Sequence, residues 1–224
     1  MARLDAKPST RKLRTSRRSL TGRLVTSDGE VATFESSLER DWLMVLDLDP
    51  AIQSIEVQPF TLLYEMGGVS SKYTPDVLAR FACSGRQEFV TVYEVKPADE
   101  LRKNWTMYRP RFKAALRYCR NRGWRFRIVT ERHIRTPKLT NARFLRRYRS
   151  IPVDSLACKQ LRYALHALGP TTPQALLAGA YFSPDSRLGA LPMLWKMIAC
   201  RQIVADLDSP LTMASRIWLA GDCP

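Results

Sequence analysis

The stretch YTPDVLARFACSGRQEFVTVYEVKP, Tyr73 to Pro97, decides how this chain folds. Two β-prone runs flank a polar Ser-Gly-Arg-Gln segment, which predicts a hairpin. Alternate side chains of a strand share a face, so Glu94 and Lys96 point the same way. Asp76, just behind Thr74-Pro75, joins them only if it stands opposite Glu94. A two-residue Gly85-Arg86 turn would pair Ser84 with Gln87 and bring Val95 opposite Asp76, sending one acid to the wrong face. An odd offset is therefore expected: a three-residue Ser84-Gly85-Arg86 loop with a positive φ, or a bulge between turn and site.

Outward from the hairpin, FESSLERDWLMVLDLDP carries Leu38, Trp42, Val45 and Leu46 at helical spacing and ends at Pro50. IQSIEVQPFTLLYEMGG reads as a strand, and RLVTSDGEVATF as a short strand pair about an Asp-Gly turn. Downstream, Phe112, Ala115, Leu116 and Cys119 form an apolar helical stripe, with Arg111, Lys113, Arg117 and Arg120 on other faces. WRFRIVT then alternates Trp124, Phe126 and Ile128 against Arg125 and Arg127, as a strand does. Helix, strand, hairpin, helix, strand is a mixed α/β core.

Charge is uneven along the 224 residues. The net charge is +15, and residues 1–150 hold 30 Lys and Arg against 16 Asp and Glu, whereas 151–224 hold 6 against 5. The first part is thus the expected nucleic-acid surface. Residues 1–22 are polar and basic and read as a flexible arm, and 23–150 as the mixed α/β domain. After Ile151-Pro152, three helical patterns followed by IVADLD, a Ser209-Pro210 turn and SRIWLA suggest a winged-helix-like domain over 151–224. Its near-neutral charge argues against an independent grip on DNA. The five cysteines show no Cys-x-x-Cys spacing, which speaks against zinc and disulfides; Cys119 and Cys200 read as small core residues. No apolar run reaches membrane-span length and no secretory signal is apparent, so the protein is expected inside the cell, away from membranes.

Phosphodiester cleavage needs a divalent cation and an activated water. Carboxylates on separate elements can share such a hard cation, and a lysine beside them can orient the water and offset developing charge. Asp76, Glu94 and Lys96 supply this set, with Glu39 as an added carboxylate. Each has a structural alternative. Thr-Pro-Asp is also a turn signal, Glu94 and Lys96 could be the polar face of an edge strand, and Ser36-Ser37-Leu38-Glu39 is also a capping box.

The order SSLERDWL, YTPDVL, YEVKP, RGWRFRIVTERHI resembles the TnsA transposon-end endonucleases, members of the restriction-endonuclease-like PD-(D/E)xK fold. Together with these residues, the resemblance makes 23–150 the expected endonuclease-like catalytic domain. It implies that Glu39, Asp76 and Lys96 match catalytic residues, that Glu94 matches a position held by Gln or Glu, and that Asp76, Glu94 and Glu39 hold magnesium or manganese. It further implies cleavage of the 5′ ends of a transposon during cut-and-paste transposition, with a TnsB-like transposase, a TnsC-like AAA+ regulator and DNA as partners, in the bacterial cytoplasm. A nuclease of the same fold with another task, such as junction resolution or restriction, and a non-catalytic DNA-binding assembly subunit remain as alternatives.

Overall fold

The computed structural model describes residues 6–8, 21–26, 29–66, 68–82 and 89–221, in two compact units, Met1–Arg135 and Thr136–Pro224. The first unit contains β1 (Ala6–Pro8), β2 (Gly22–Val25), β3 (Val31–Phe34), α1 (Ser37–Leu48), β4 (Ile52–Val57), β5 (Phe60–Met66), β6 (Val69–Tyr73), β7 (Val77–Phe81), β8 (Phe89–Val95), α2 (Ala98–Arg120), β9 (Arg125–Val129) and α3 (Glu131–Ile134). The second contains α4 (Pro137–Arg149), α5 (Ser155–Leu168), α6 (Pro173–Ala180), α7 (Pro184–Ala199), β10 (Ile203–Ala205) and β11 (Ile217–Leu219).

The centre of the first unit is a mixed sheet in the order β4-β7-β8-β9, antiparallel except for the parallel β8–β9 pair. Parallel strands need a long crossover, and α2 provides it. The helix covers the sheet face that carries Leu78, Val90 and Val92, burying Phe112, Ala115 and Cys119 against them together with Phe60, Leu62 and Tyr73. Tyr93, one residue on from Val92, points to the opposite face, where its ring lies 5.1 Å from that of Trp42 on α1. The sheet is therefore flanked by a helix on each side.

The β7–β8 register is the one the two acids require. Val77 pairs with Tyr93 and Phe81 with Phe89 without interruption, and the next pair along the same register is Asp76 with Glu94. The expected Ser84-Gly85-Arg86 loop lies outside the described residues, as do Cys83 and Cys223. A bulge does occur, but on the other side of β7, between Ile52 and Ser54 of β4.

Several expectations are corrected. The run from Ile52 to Met66 is two strands, not one: Gln58 takes a positive φ of 50° and Pro59 cannot donate to a ladder, so the chain breaks there and β5 joins a separate sheet, β1-β5-β6. Ala6–Pro8, expected in a free arm, pairs with Phe60–Leu62; the arm is otherwise outside the described residues except at its end, where Gly22 opens β2. Cys119 is fully buried, but Cys200 is exposed at the end of α7 and not a core residue. Arg111 lies not on an outer face but on the covered side of α2.

The two units divide at Arg135/Thr136, ahead of the shift in composition at 150/151. The physical reason is Asn141 on α4, 3% exposed. Its Nδ2 donates to the carbonyls of Leu207 (2.9 Å) and Ser209 (2.7 Å), and its Oδ1 accepts from the Leu211 amide (3.0 Å). Lys196 Nζ adds a bond to the Arg149 carbonyl at 2.7 Å. Basic α4 thus belongs with α7 and the segment after β10, and the second unit holds 11 Lys and Arg against 5 Asp and Glu, so it is not near neutral. Its remaining order is helix, helix, helix and an antiparallel β10–β11 pair, with Thr171 ahead of α6 bridged to Ile217.

Asn141→Ala would leave three backbone groups of the 207–211 segment without their partner. We expect a loss of about 2–4 kcal/mol of unfolding free energy, read by urea denaturation. A change within experimental error would mean that Asn141 does not hold the segment.

Candidate active site

The site sits at the end of β8, where the strand pairing delivers side chains from several elements to one place. Lys96 follows β8, and its Nζ lies 3.3 Å from Glu94 Oε1 and 3.5 Å from Asp76 Oδ2. Two carboxylates bracket one ammonium. Asp76 Oδ2 also accepts the Val95 amide at 2.7 Å, and Lys96 Nζ donates to the Val95 carbonyl at 3.0 Å. Thr74-Pro75-Asp76 thus does more than turn the chain: its acid reaches across to the neighbouring strand. Glu94, 2% exposed, is not the polar face of an exposed edge.

Glu39 reaches the same neighbourhood from the first turn of α1. Its oxygens accept from the Glu35 amide (2.8 Å) and Ser36 hydroxyl (3.0 Å), while its own amide donates to Ser36 Oγ (3.1 Å). Ser36 caps the helix, but the Glu39 carboxylate reaches the Glu35 amide and the Ser36 hydroxyl and not the Ser36 amide, so the reciprocal capping box is not closed. Glu39 also interacts electrostatically with Asp76 and Lys96. Among the described residues no three or more His, Cys, Asp or Glu side chains converge as a ready metal cage.

Burial and mutual repulsion set the protonation of the cluster. Burial, then the Asp76 charge, push Glu94 from 4.5 up to about 7. Burial raises Asp76 although Lys96 and the Val95 amide pull the other way, and burial with the Asp76 charge raises Glu39. Burial works against the Lys96 ammonium, but Asp76, Glu94 and Glu39 outweigh it and hold the lysine above its ordinary range. Lys96 and Arg111 both pull Asp76 and Glu94 down, but burial outweighs them.

Three further residues shape the site and escaped the sequence reading. Tyr73, at the end of β6, donates its hydroxyl to Glu94 Oε2 at 2.6 Å. Arg111 on α2 brings a guanidinium nitrogen within 3.7 Å of Glu94 Oε1, with the group 3.9 Å from the Tyr108 ring centroid and its buried Nε making no hydrogen bond. A signal for Arg111 was present: it falls on the same side of the helix as the apolar residues Tyr108 and Ala115. Gln58 donates its amide to the Asp76 carbonyl (2.8 Å) and its Nε2 to Glu35 Oε1 (3.2 Å), tying the start of α1 to the Asp76 segment. Its positive φ has no sequence signature beyond the proline that follows.

The raised Glu94 has a measurable consequence. Between 4.5 and about 7 the folded protein holds a proton that the unfolded chain has released, so stability falls as pH rises through that window. The contribution is about 3 kcal/mol, and Asp76 and Glu39 act in the same direction. We expect the melting temperature of the metal-free protein to drop from pH 5 to pH 8 and the drop to shrink markedly in Glu94→Gln. Equal slopes in the two proteins would refute this electrostatic picture.

Comparison with curated proteins returned no match. Residues 49–131 match the family model described as TnsA-like endonuclease N terminal. The matched segment runs from the end of α1 to the start of α3 and includes Asp76, Glu94 and Lys96, while Glu39 precedes it. Among the described residues, no helix is long and apolar enough to cross a membrane. With an acid pair and a lysine gathered on the matched mixed sheet, residues 49–131 are similar to the N-terminal domain of the TnsA-like endonucleases.

Proposed function

We propose that the protein hydrolyses one strand of DNA at the ends of a transposon, cutting the 5′ ends during cut-and-paste transposition with magnesium, or manganese, as its ion. The observation that carries this reading is the Lys96 ammonium bracketed by Asp76 and Glu94, with Glu39 in electrostatic reach, on a TnsA-like domain. The donor set suits a hard divalent cation. All are oxygen donors, and their raised pKa values mean that a divalent cation would be bound in exchange for protons, restoring the ionised carboxylates. Magnesium commonly takes only one or two carboxylates and completes its shell with water and substrate phosphate, so a three-residue cage is not required. Asp76 and Glu94 would hold it, with Glu39 nearby.

When bound, such an ion supplies charge for the phosphate and lowers the pKa of a water. The protein's own share is positional. Lys96, at hydrogen-bonding range of both acids, is placed to orient the attacking water and to offset charge developing on the phosphate. Tyr73 and Arg111 hold Glu94 from its two oxygens. Gln58 and the Val95 amide fix the backbone and side chain of Asp76.

The partners in this reading are a TnsB-like transposase that cuts and joins the 3′ ends, a TnsC-like AAA+ regulator, and transposon-end DNA, in the bacterial cytoplasm. The second unit is read as a winged-helix-like domain, supported by its three-helix-plus-hairpin order and the Thr171–Ile217 bridge.

In a reconstituted reaction with transposase and regulator, Asp76→Ala or Lys96→Ala is expected to lose 5′-strand cleavage by at least about 100-fold while 3′ joining continues and yields co-integrates. Double-strand excision by Asp76→Ala would sink the proposal. Glu39→Gln separates cap from chemistry: the amide oxygen still accepts from the Glu35 N–H, so melting should hold within about 1 kcal/mol. Cleavage is expected to fall with the lost charge, and full retention of cleavage would reduce Glu39 to a helix cap.

A further inference from the structure

The face of α2 turned away from the site carries a feature that the cleavage reading does not use. Arg109, Lys113, Arg117 and Arg120 follow at spacings of four, four and three residues, which at about 100° per residue confines them to an arc of about 80°. All four are exposed, and none of these side chains makes a hydrogen bond or ion pair with a described residue. Nearer the helix start, Arg102 is instead paired with Asp99 at 3.4 Å. The four cations span about 16 Å of helix, over which one strand of B-DNA presents roughly five phosphates.

Along one edge of this arc stands Trp105, 47% exposed. It borders a shallow cavity of about 350 Å³ floored by Phe112, Leu116, Phe126 and Ile128, with Arg109 and Lys113 on its rim. A second depression of about 430 Å³ shares Trp105, Arg109 and Lys113 and has a single acid, Glu65, at its border. Cations in a row beside an exposed indole and an apolar floor are the components of a strand-binding groove: charge follows the backbone, and an aromatic face accepts a base without reading its identity.

We propose that this face of α2 binds a nucleic-acid strand, with Arg109, Lys113, Arg117 and Arg120 on successive phosphates and Trp105 against a base. The choice of nucleic acid over an acidic peptide rests on the nuclease reading and on the length of the unpaired cation row. Single-stranded and duplex DNA offer the same phosphate chemistry, and the test separates them.

The full-length protein is titrated in chelator, without divalent ion, into a labelled single-stranded oligonucleotide and into its duplex, across a range of KCl. Each cation removed should lower the slope of log affinity against log salt by roughly one, so Arg109→Gln/Lys113→Gln/Arg117→Gln/Arg120→Gln together should lower it by about three to four. The exposed positions predict an unchanged melting temperature; should the combined variant not fold, Lys113→Gln and Arg117→Gln are read singly at about one each. Lys159→Gln, on α5, is expected to leave the slope unchanged. Trp105→Ala should weaken single-strand binding about 10-fold or more with no change in slope. A fall confined to one of the two DNA forms supports the proposal and assigns the face to that form. Unchanged slopes for both overturn it, as does tighter binding of a polyglutamate peptide than of either DNA. No cleavage is involved, so failure here leaves the nuclease reading intact, and failure of the Asp76→Ala experiment leaves the binding result standing.

Discussion

Burying Glu94 is the constraint on which the first unit depends. A carboxylate 2% exposed is tolerable only with partners for both oxygens, and the fold provides them from three elements. Tyr73 comes from the β5–β6 hairpin, Lys96 from the end of β8, and Arg111 from the middle of α2. Each of those placements has structural consequences. Tyr73 reaches Glu94 because the chain breaks at Gln58-Pro59 and sends β5 and β6 into a sheet of their own. Arg111 reaches it because α2 lies across the same sheet face, held by Phe112 and Ala115. The buried acid thereby ties the second sheet, the central sheet and the crossover helix together.

Register is the second half of that constraint. Asp76 contributes to the cluster only from a position opposite Glu94, and a one-residue slip would exchange it for Pro75 or Val77 on the wrong face. The Val95 amide bond to the Asp76 carboxylate holds Asp76 against β8, and the Gln58–Asp76 backbone bond holds it against β4 on the other side. Structural and chemical requirements coincide here, since the bonds that fix the strand ends also orient the carboxylate.

Much of this was legible in the residues. Period-two alternation with two acids that must share a face predicted the offset of the hairpin, although the loop residues themselves lie outside the described part. The helical stripe at Phe112, Ala115 and Cys119 predicted the covered face of α2, and Asp76, Glu94 and Lys96 were predicted to meet. What escaped is chiefly what periodicity cannot carry, Arg111 excepted. Tyr73 looks like any apolar residue of a strand until its hydroxyl finds an acid 21 positions away. Arg111 is one of many arginines, and only its place on the covered side distinguishes it. Asn141 shows why composition misplaced the unit boundary: α4 is as basic as the segment before it, but one buried amide ties it to the segment after β10.

The length of α2 connects the site to the surface. A crossover between two parallel strands can be made with a helix shorter than 23 residues, and this one also carries a non-helical turn at Asn104 and a proline at 110. Pro110 removes a backbone donor next to Arg111, and Asn104 relieves the helix one turn before Tyr108, so the segment that packs around Glu94 is joined by its own bends to the strand end it follows. Past the proline, the same helix presents aromatic and aliphatic residues inward and unpaired cations outward. The outward arc has no carboxylate neighbour on its own helix beyond Asp99 and Glu100 in the first turn. Charge is thus segregated across the thickness of one helix. Negative groups are gathered where a cation would be drawn in, and positive groups are left in water, where an anionic strand meets little desolvation cost on reaching them.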